Sequence, residues 1–320
     1  MTDSSMPGST QTPTRPAASA TFAVLLLALL WGMNWPAVRI ALNGFAPWTF
    51  RAAALTAGGV LLLAIAIARS QPLAVPAGQR LRLLTAGVLN IAGFNMFTTF
   101  AQLSGSTSRA AIITFTMPMW AVLFAWLVLD ERPDRRRIAA IVLGCCGLAL
   151  LIAPLFAVRP LQLAGAGYAL GAGISWAAGT VFLKRYPITA APFAVAGWQL
   201  LIGAVVAAIG MALFEPAPSL AGIGWQPWVA FGYHAVLAVA LAYFIWFEVV
   251  ARLPASVASL GTLLIPVVGV LGAVLVLGER PGASDLLGFA AIGAAAWAAL
   301  RAPAAPAAKA RPSPRPRAGI

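Results

Sequence analysis

Residues 108–133 read SRAAIITFTMPMWAVLFAWLVLDERP, and residues 256–281 read SVASLGTLLIPVVGVLGAVLVLGERP. The two stretches align without gaps at an offset of 148, with 13 identities in 26 positions. Biased composition alone gives roughly two or three identities, so the match marks an internal repeat. Thr114 pairs with Thr262, Pro118 with Pro266, and Glu131-Arg132-Pro133 with Glu279-Arg280-Pro281. A weaker match sets Trp31 against Trp176 and Arg39 against Lys184. Each strong stretch is also an apolar run long enough to cross a bilayer core, which takes about 20 helical residues.

Runs of this kind recur outward in both directions. They cover 21–42, 45–68, 82–103, 108–129, 137–157, 161–183, 191–213, 227–248, 254–277 and 284–301. Overall 61% of residues are hydrophobic and 9% charged, where a soluble chain carries about 25% charged. Lipid must be part of the solvent. Backbone polar groups in lipid have to bond within their own segment, and the period-two alternation of a barrel is absent, so the expectation is an all-α polytopic membrane protein of ten transmembrane helices. Residues 1–20 and 302–320, rich in Pro, Ala and small polar residues, are expected to be disordered tails. Arg15 followed by the run 23–30 imitates a signal peptide. The run continues to Leu42 with no A-x-A site, so it reads as a first span.

The net charge of +13 does not point to nucleic acid, because the basic residues are scattered between apolar runs. They report topology instead. With the N-terminus inside, 16 of the 21 Lys and Arg residues fall on the inner side and five on the outer, which favours both termini in the cytoplasm. Five spans separate the two Glu-Arg-Pro turns. Five is odd, so the turns face opposite sides, and the halves 21–157 and 161–301 are inverted repeats. Inverted halves have two related conformations with exchanged openings, the geometry of alternating access. That favours a transporter of a small solute over an enzyme or a scaffold.

Here a resemblance becomes specific. It rests on WGMN at 31–34, the two repeat ends at 113–133 and 261–281, and ALAYFIWFEVVARLPASVASL at 240–260. The paired halves resemble EamA domains, and the chain over roughly 21–301 resembles the drug/metabolite transporter superfamily. The resemblance implies ten helices and transport of small organic metabolites, amino-acid-like or drug-like, often outward across the bacterial cytoplasmic membrane. The second half carries Trp176-Ala177-Ala178-Gly179 where the first has Trp31-Gly32-Met33-Asn34, so the halves are not chemically equivalent there.

Several residues carry the functional expectation. Trp31, Asn34 and Trp35 share one helix face, as do Asn95, Thr98, Thr99 and Gln102 on the third span. A polar stripe in lipid faces either another helix or a water-filled cavity, and the cavity is the favoured reading. Trp31, Asn34, Asn95, Trp176 and Tyr243 are expected to border one central substrate cavity, beside the aromatic face Tyr243, Trp246 and Phe247. Pro118 and Pro266 sit mid-span and disturb the turn at Thr114 and Thr262, giving either a static kink or a hinge. Arg51 lies six residues into the second span, where it can snorkel or attract an anionic group; snorkelling is favoured. His234 reads as a structural hydrogen-bonder rather than a proton carrier. Gly167, Gly171 and Ser175 follow the spacing of close helix packing. Cys145 and Cys146 read as small buried hydrophobes.

No acid lies mid-span by these boundaries, and Glu248 comes nearest. No metal ligands, catalytic residues or cofactor are therefore expected, although an integral membrane enzyme acting on a lipid-soluble substrate is the alternative class. The partners implied are a small-molecule solute and the lipid bilayer. The oligomeric state is open, a monomer being one reading.

Overall fold

The computed structural model describes residues 18–156, 160–252 and 264–301. The expected tails therefore lie outside the described residues, apart from 18–20, which are already helical. Thr262 and the first part of the run 254–277 lie outside them too. The helices are α1 (Ala18–Ala41), α2 (Pro47–Ala68), α3 (Ala77–Ser104), α4 (Thr107–Leu129), α5 (Arg135–Phe156), α6 (Pro160–Arg185), α7 (Pro192–Phe214), α8 (225–252), α9 (Leu264–Leu277) and α10 (Ala283–Arg301). Among the described residues eight helical stretches, in α1–α8, are long and apolar enough to cross a membrane, and two shorter apolar helices, in α9 and α10, follow. The described secondary structure contains no strand.

Local chemistry sets the boundaries. Pro47 and Pro192 occupy the first turn of α2 and α7, where the missing N–H has no intrahelical partner to lose. The Ser106 side chain caps α4 by accepting from the Arg109 amide at 3.3 Å. Asp130 ends α4 in the left-handed region at φ 56°. Large apolar side chains such as Leu127 and Leu275 stand exposed on the bundle exterior. A soluble protein would bury such surface; a lipid-facing wall leaves it bare. Cys145 and Cys146 are exposed as well, which corrects the reading of them as buried.

Packing joins the two halves rather than keeping them apart. α1 packs on α8 and α9, while α6 packs on α3 and α4. α2 contacts α7 and α8, and α3 contacts α7; α4 meets α9, and α5 meets α10. Two crossings are made by facing glycines. A Cβ on Gly59 would lie 3.1 Å from the Gly197 carbonyl, and one on Gly197 would lie 3.2 Å from the Gly59 carbonyl. Gly147 of α5 and Gly288 of α10 are related in the same way, at 3.1 Å in both directions. Without a hydrophobic driving force between helices in lipid, such close backbone approach is what gains dispersion contact.

Two wide π-helical turns interrupt α3 at Gly87–Gly93 and α8 at Tyr233–Leu241. Such turns release backbone carbonyls from the regular ladder, and side chains collect them. Trp31 Nε1 on α1 donates to the Ala238 carbonyl at 2.9 Å, and Ser175 Oγ on α6 donates to the Leu89 carbonyl at 2.7 Å. A Cβ on Gly171 would lie 3.3 Å from the Phe97 ring, whereas one on Gly167 would meet nothing within 4 Å. The packing expected of Gly167, Gly171 and Ser175 therefore holds for the last two.

α4 is broken at residues 115–116, just before Pro118. The disturbed turn is satisfied by Thr116, whose hydroxyl donates to the Ile113 carbonyl at 2.7 Å and accepts from Trp120 Nε1 at 3.1 Å. The Thr114 hydroxyl donates to the Ala169 carbonyl of α6 at 3.3 Å. Pro266 lies in the first turn of α9 as described.

The ends of the bundle are tied by side chains. Glu215, after α7, accepts from the amides of Trp48 and Thr49 and from the Thr49 hydroxyl at 2.7, 2.8 and 2.7 Å. Glu279, after α9, accepts from the amides of Thr107 and Ser108 and from the Ser108 hydroxyl at 2.6, 3.0 and 2.6 Å. Both carboxylates thus cap helix N-termini from another helix, where the macrodipole favours negative charge. Arg109 pairs with Asp285 at 2.5 Å, and Arg39 donates to the Gln102 carbonyl at 2.8 Å. At the other end, Lys184 pairs with Glu131 at 2.5 Å, and Gln79 and Thr189 exchange two hydrogen bonds at 2.8 Å. Glu279 caps the start of α4 and Glu131 follows its end, so the two Glu-Arg-Pro turns sit at opposite ends of one helix.

Candidate functional site

A cavity of about 410 Å³ lies among the helices, within the range of small-ligand sites. Trp31, Asn34, Asn95, Trp176 and Tyr243 all border it, as do Pro118 and Pro266. The structure thus brings together every residue singled out for the site, from α1, α3, α4, α6, α8 and α9. Trp35, Thr98 and Gln102 of the two faces read as cavity-lining, and Trp246 and Phe247 of the aromatic face, line it too, whereas Arg51, Phe94 and His234 were not singled out for it.

The lining divides in two. One part is aromatic. Trp31 stands 5.9 Å from Tyr243 edge-on and 5.8 Å from Trp246, and Phe94 lies 4.9 Å from Trp176. The indole N–H of Trp31 is spent on the Ala238 carbonyl, so its ring is held in place and presents an apolar face.

The other part is a polar chain built on Arg51. This side chain is 2% exposed, so it does not snorkel, and that expectation is corrected. It is too close to the start of α2 to be deep by sequence count, but α3 and α8 enclose it. Arg51 Nε donates to Thr99 Oγ1 at 2.6 Å and Nη1 to Asn95 Oδ1 at 2.9 Å, with Thr98 Oγ1 at 3.4 Å from Nη2. Nη1 also lies 3.3 Å from His234 Nε2, and His234 Nδ1 lies 2.7 Å from Asn34 Oδ1. One tautomer satisfies both histidine contacts: Nδ1–H donates to Asn34, and Nε2 accepts from Arg51. His234 is therefore a hydrogen-bonder, as expected, but one that lines the cavity. The polar stripe of α3 serves both purposes considered for it, binding a neighbouring helix through Arg51 and bordering the cavity.

Among the described residues, each acceptor bonded to Arg51 is neutral, and Arg51 is the one charged residue of the lining. Neutral hydrogen bonds offset only part of the desolvation of a buried charge. The side chain of Glu248 lies outside the described residues. Among those described, no group of three or more His, Cys, Asp or Glu residues could hold a metal ion.

Comparison with known proteins fits this architecture. The sequence profile of the EamA-like transporter family matches twice, over residues 18–153 and 163–301. The uncharacterized transporter YvbV of Bacillus subtilis (strain 168) is 28% identical over 86% of this chain and 89% of its own length. A probable amino-acid metabolite efflux pump of Salmonella typhimurium is 25% identical over 83% of this chain and 90% of the relative. One crystal structure superposes with a TM-score of 0.63 at 25% identity, covering 88% of this chain and 95% of that one. With apolar helices suited to a bilayer and two family matches that together cover most of its length, this chain belongs to the EamA-like transporter family, as a multi-pass membrane transporter.

Proposed function

We propose that this protein exports a small organic metabolite, amino-acid-like or drug-like, across the cytoplasmic membrane by alternating access, with both termini in the cytoplasm. Trp31, Asn34, Asn95, Trp176 and Tyr243 contact the solute, and Pro118 and Pro266 are the hinges. The observation that carries this reading is the shared cavity, to which residues of both halves, 21–157 and 161–301, contribute. Two relatives named as probable amino-acid metabolite efflux pumps, from Salmonella typhimurium and Escherichia coli, support the solute class and the direction.

Ten spans in two inverted halves are supported by the helix contacts. Exchanging each helix with the one five places on turns the pairing of α1 with α8 and α9 into that of α6 with α3 and α4, both present. The π-helical turns of α3 and α8, the two reciprocal glycine crossings and the placement of the two Glu-Arg-Pro turns at opposite ends of α4 follow the same exchange. Purified protein in liposomes tests the function. Counterflow of a labelled amino acid or a related metabolite is expected. Product formation without flux would make the protein an enzyme, and neither would make it a scaffold.

A further inference from the structure

We infer that the transported solute carries a single carboxylate, and that Arg51 is the residue that holds it. This rests on the transport reading above and narrows it. Arg51 is buried, lines the cavity, and reaches only neutral acceptors on Asn95, Thr98, Thr99 and His234 among the described residues. Those contacts fix the guanidinium without neutralising it. A buried charge that is hydrogen-bonded but lacks a counter-ion favours an anion arriving from outside the fold. The planar fork suits a carboxylate. Among the described residues no second cation lines the cavity, so a doubly charged phosphate would bring excess charge into it.

A second observation concerns the same polar region. Gln102 lines the cavity on the α3 face that also carries Thr98, and its buried Oε1 has no partner. An orphaned acceptor calls for a donor, such as a hydroxyl or amine carried by the acid. The aromatic wall of Trp31, Trp176 and Tyr243 then takes the apolar body. The equivalent position in the other half offers no second anchor of this kind. Pro47 and Pro192 open the equivalent helices, and counting from them sets Ala196 opposite Arg51.

The test uses three probes of one shape: 3-phenylpropionate, 3-phenylpropionamide and 3-phenylpropylamine, each competing in purified full-length protein and in proteoliposomes. The anion should bind about tenfold or more tighter than the amide and the amine, as expected for a hydrogen-bonded charge pair. Arg51→Gln should remove that preference, the anion losing far more affinity than the amide, and Arg51→Lys should restore part of it. Equal binding of the three probes, tighter binding of the amine, or no binding of the anion at millimolar concentration would overturn the inference. So would an equal loss of anion and amide in Arg51→Gln. If Arg51→Gln does not fold, the wild-type series decides. Flux of uncharged solutes that is indifferent to Arg51 would sink the carboxylate anchor and leave transport standing. Anion-selective binding with no flux of any solute would do the reverse.

Discussion

Asn34, His234 and Arg51 form a chain in which each hydrogen bond fixes the role of the next. The Asn34 carbonyl orients the Nδ1–H of His234, which leaves Nε2 to accept from Arg51. Removing the first link frees the ring and leaves a buried N–H unpaired, at a cost of about 1–3 kcal/mol. Asn34→Ala should therefore weaken solute binding by about tenfold or more and lower the melting temperature by a few degrees while the protein still folds; unchanged affinity would remove Asn34 from the site. Sequence reasoning reached Asn34 and Asn95 because polar groups recurring on one face of an apolar span are costly without partners. It misplaced Arg51 because depth was counted from the start of its own helix. What buries this arginine is the stripe on α3 and the histidine of α8, contacts that one-dimensional spacing does not give.

At the scale of elements, the glycine crossings and the glutamate caps do different work. Gly59 and Gly197 set how closely α2 and α7 approach, so Gly59→Leu should lower the melting temperature and cost about 1–3 kcal/mol or more by overpacking. An unchanged melting curve would mean that the crossing relaxes freely. Glu279 ties the end of α9 to the start of α4 without contributing to the cavity lining. Glu279→Ala should loosen that end at a local cost of about 0.5–2 kcal/mol, raising the labelling rate of a cavity cysteine from that side. A rate equal to the parent's would show that the cap does not restrain opening. The expected runs lie close to the helices because an apolar run of span length reports helix directly. The π-helical turns were not legible, since neither 87–93 nor 233–241 carries a proline to mark it. Pro118 marked the neighbourhood of the break, but the hydroxyl that serves it belongs to Thr116.

On the scale of the whole molecule, the odd number of spans between Arg135 and Arg280 predicts opposite exposure. Single cysteines at these positions, in protein lacking Cys145 and Cys146, should react from opposite sides of sealed vesicles; reaction from one side would end the inverted arrangement. Coupling belongs to this scale too. Among the described residues the cavity lining holds no carboxylate, and an acid-based proton relay needs one within the membrane. Uptake should therefore proceed without an imposed pH gradient. Proton-driven accumulation lost in Glu248→Gln would contradict this, and loss only in His234→Ala would give the proton role to histidine.

The central claim, a single cavity presented to each side in turn, is tested most directly by two-sided labelling at Gly293. This residue lines the cavity, and a Cβ there meets nothing within 4 Å. Gly293→Cys in protein without Cys145 and Cys146 should react with a membrane-impermeant maleimide in both right-side-out and inside-out vesicles, and bound solute should slow both reactions. Labelling from one side only, unaffected by solute, would contradict alternating access through this cavity.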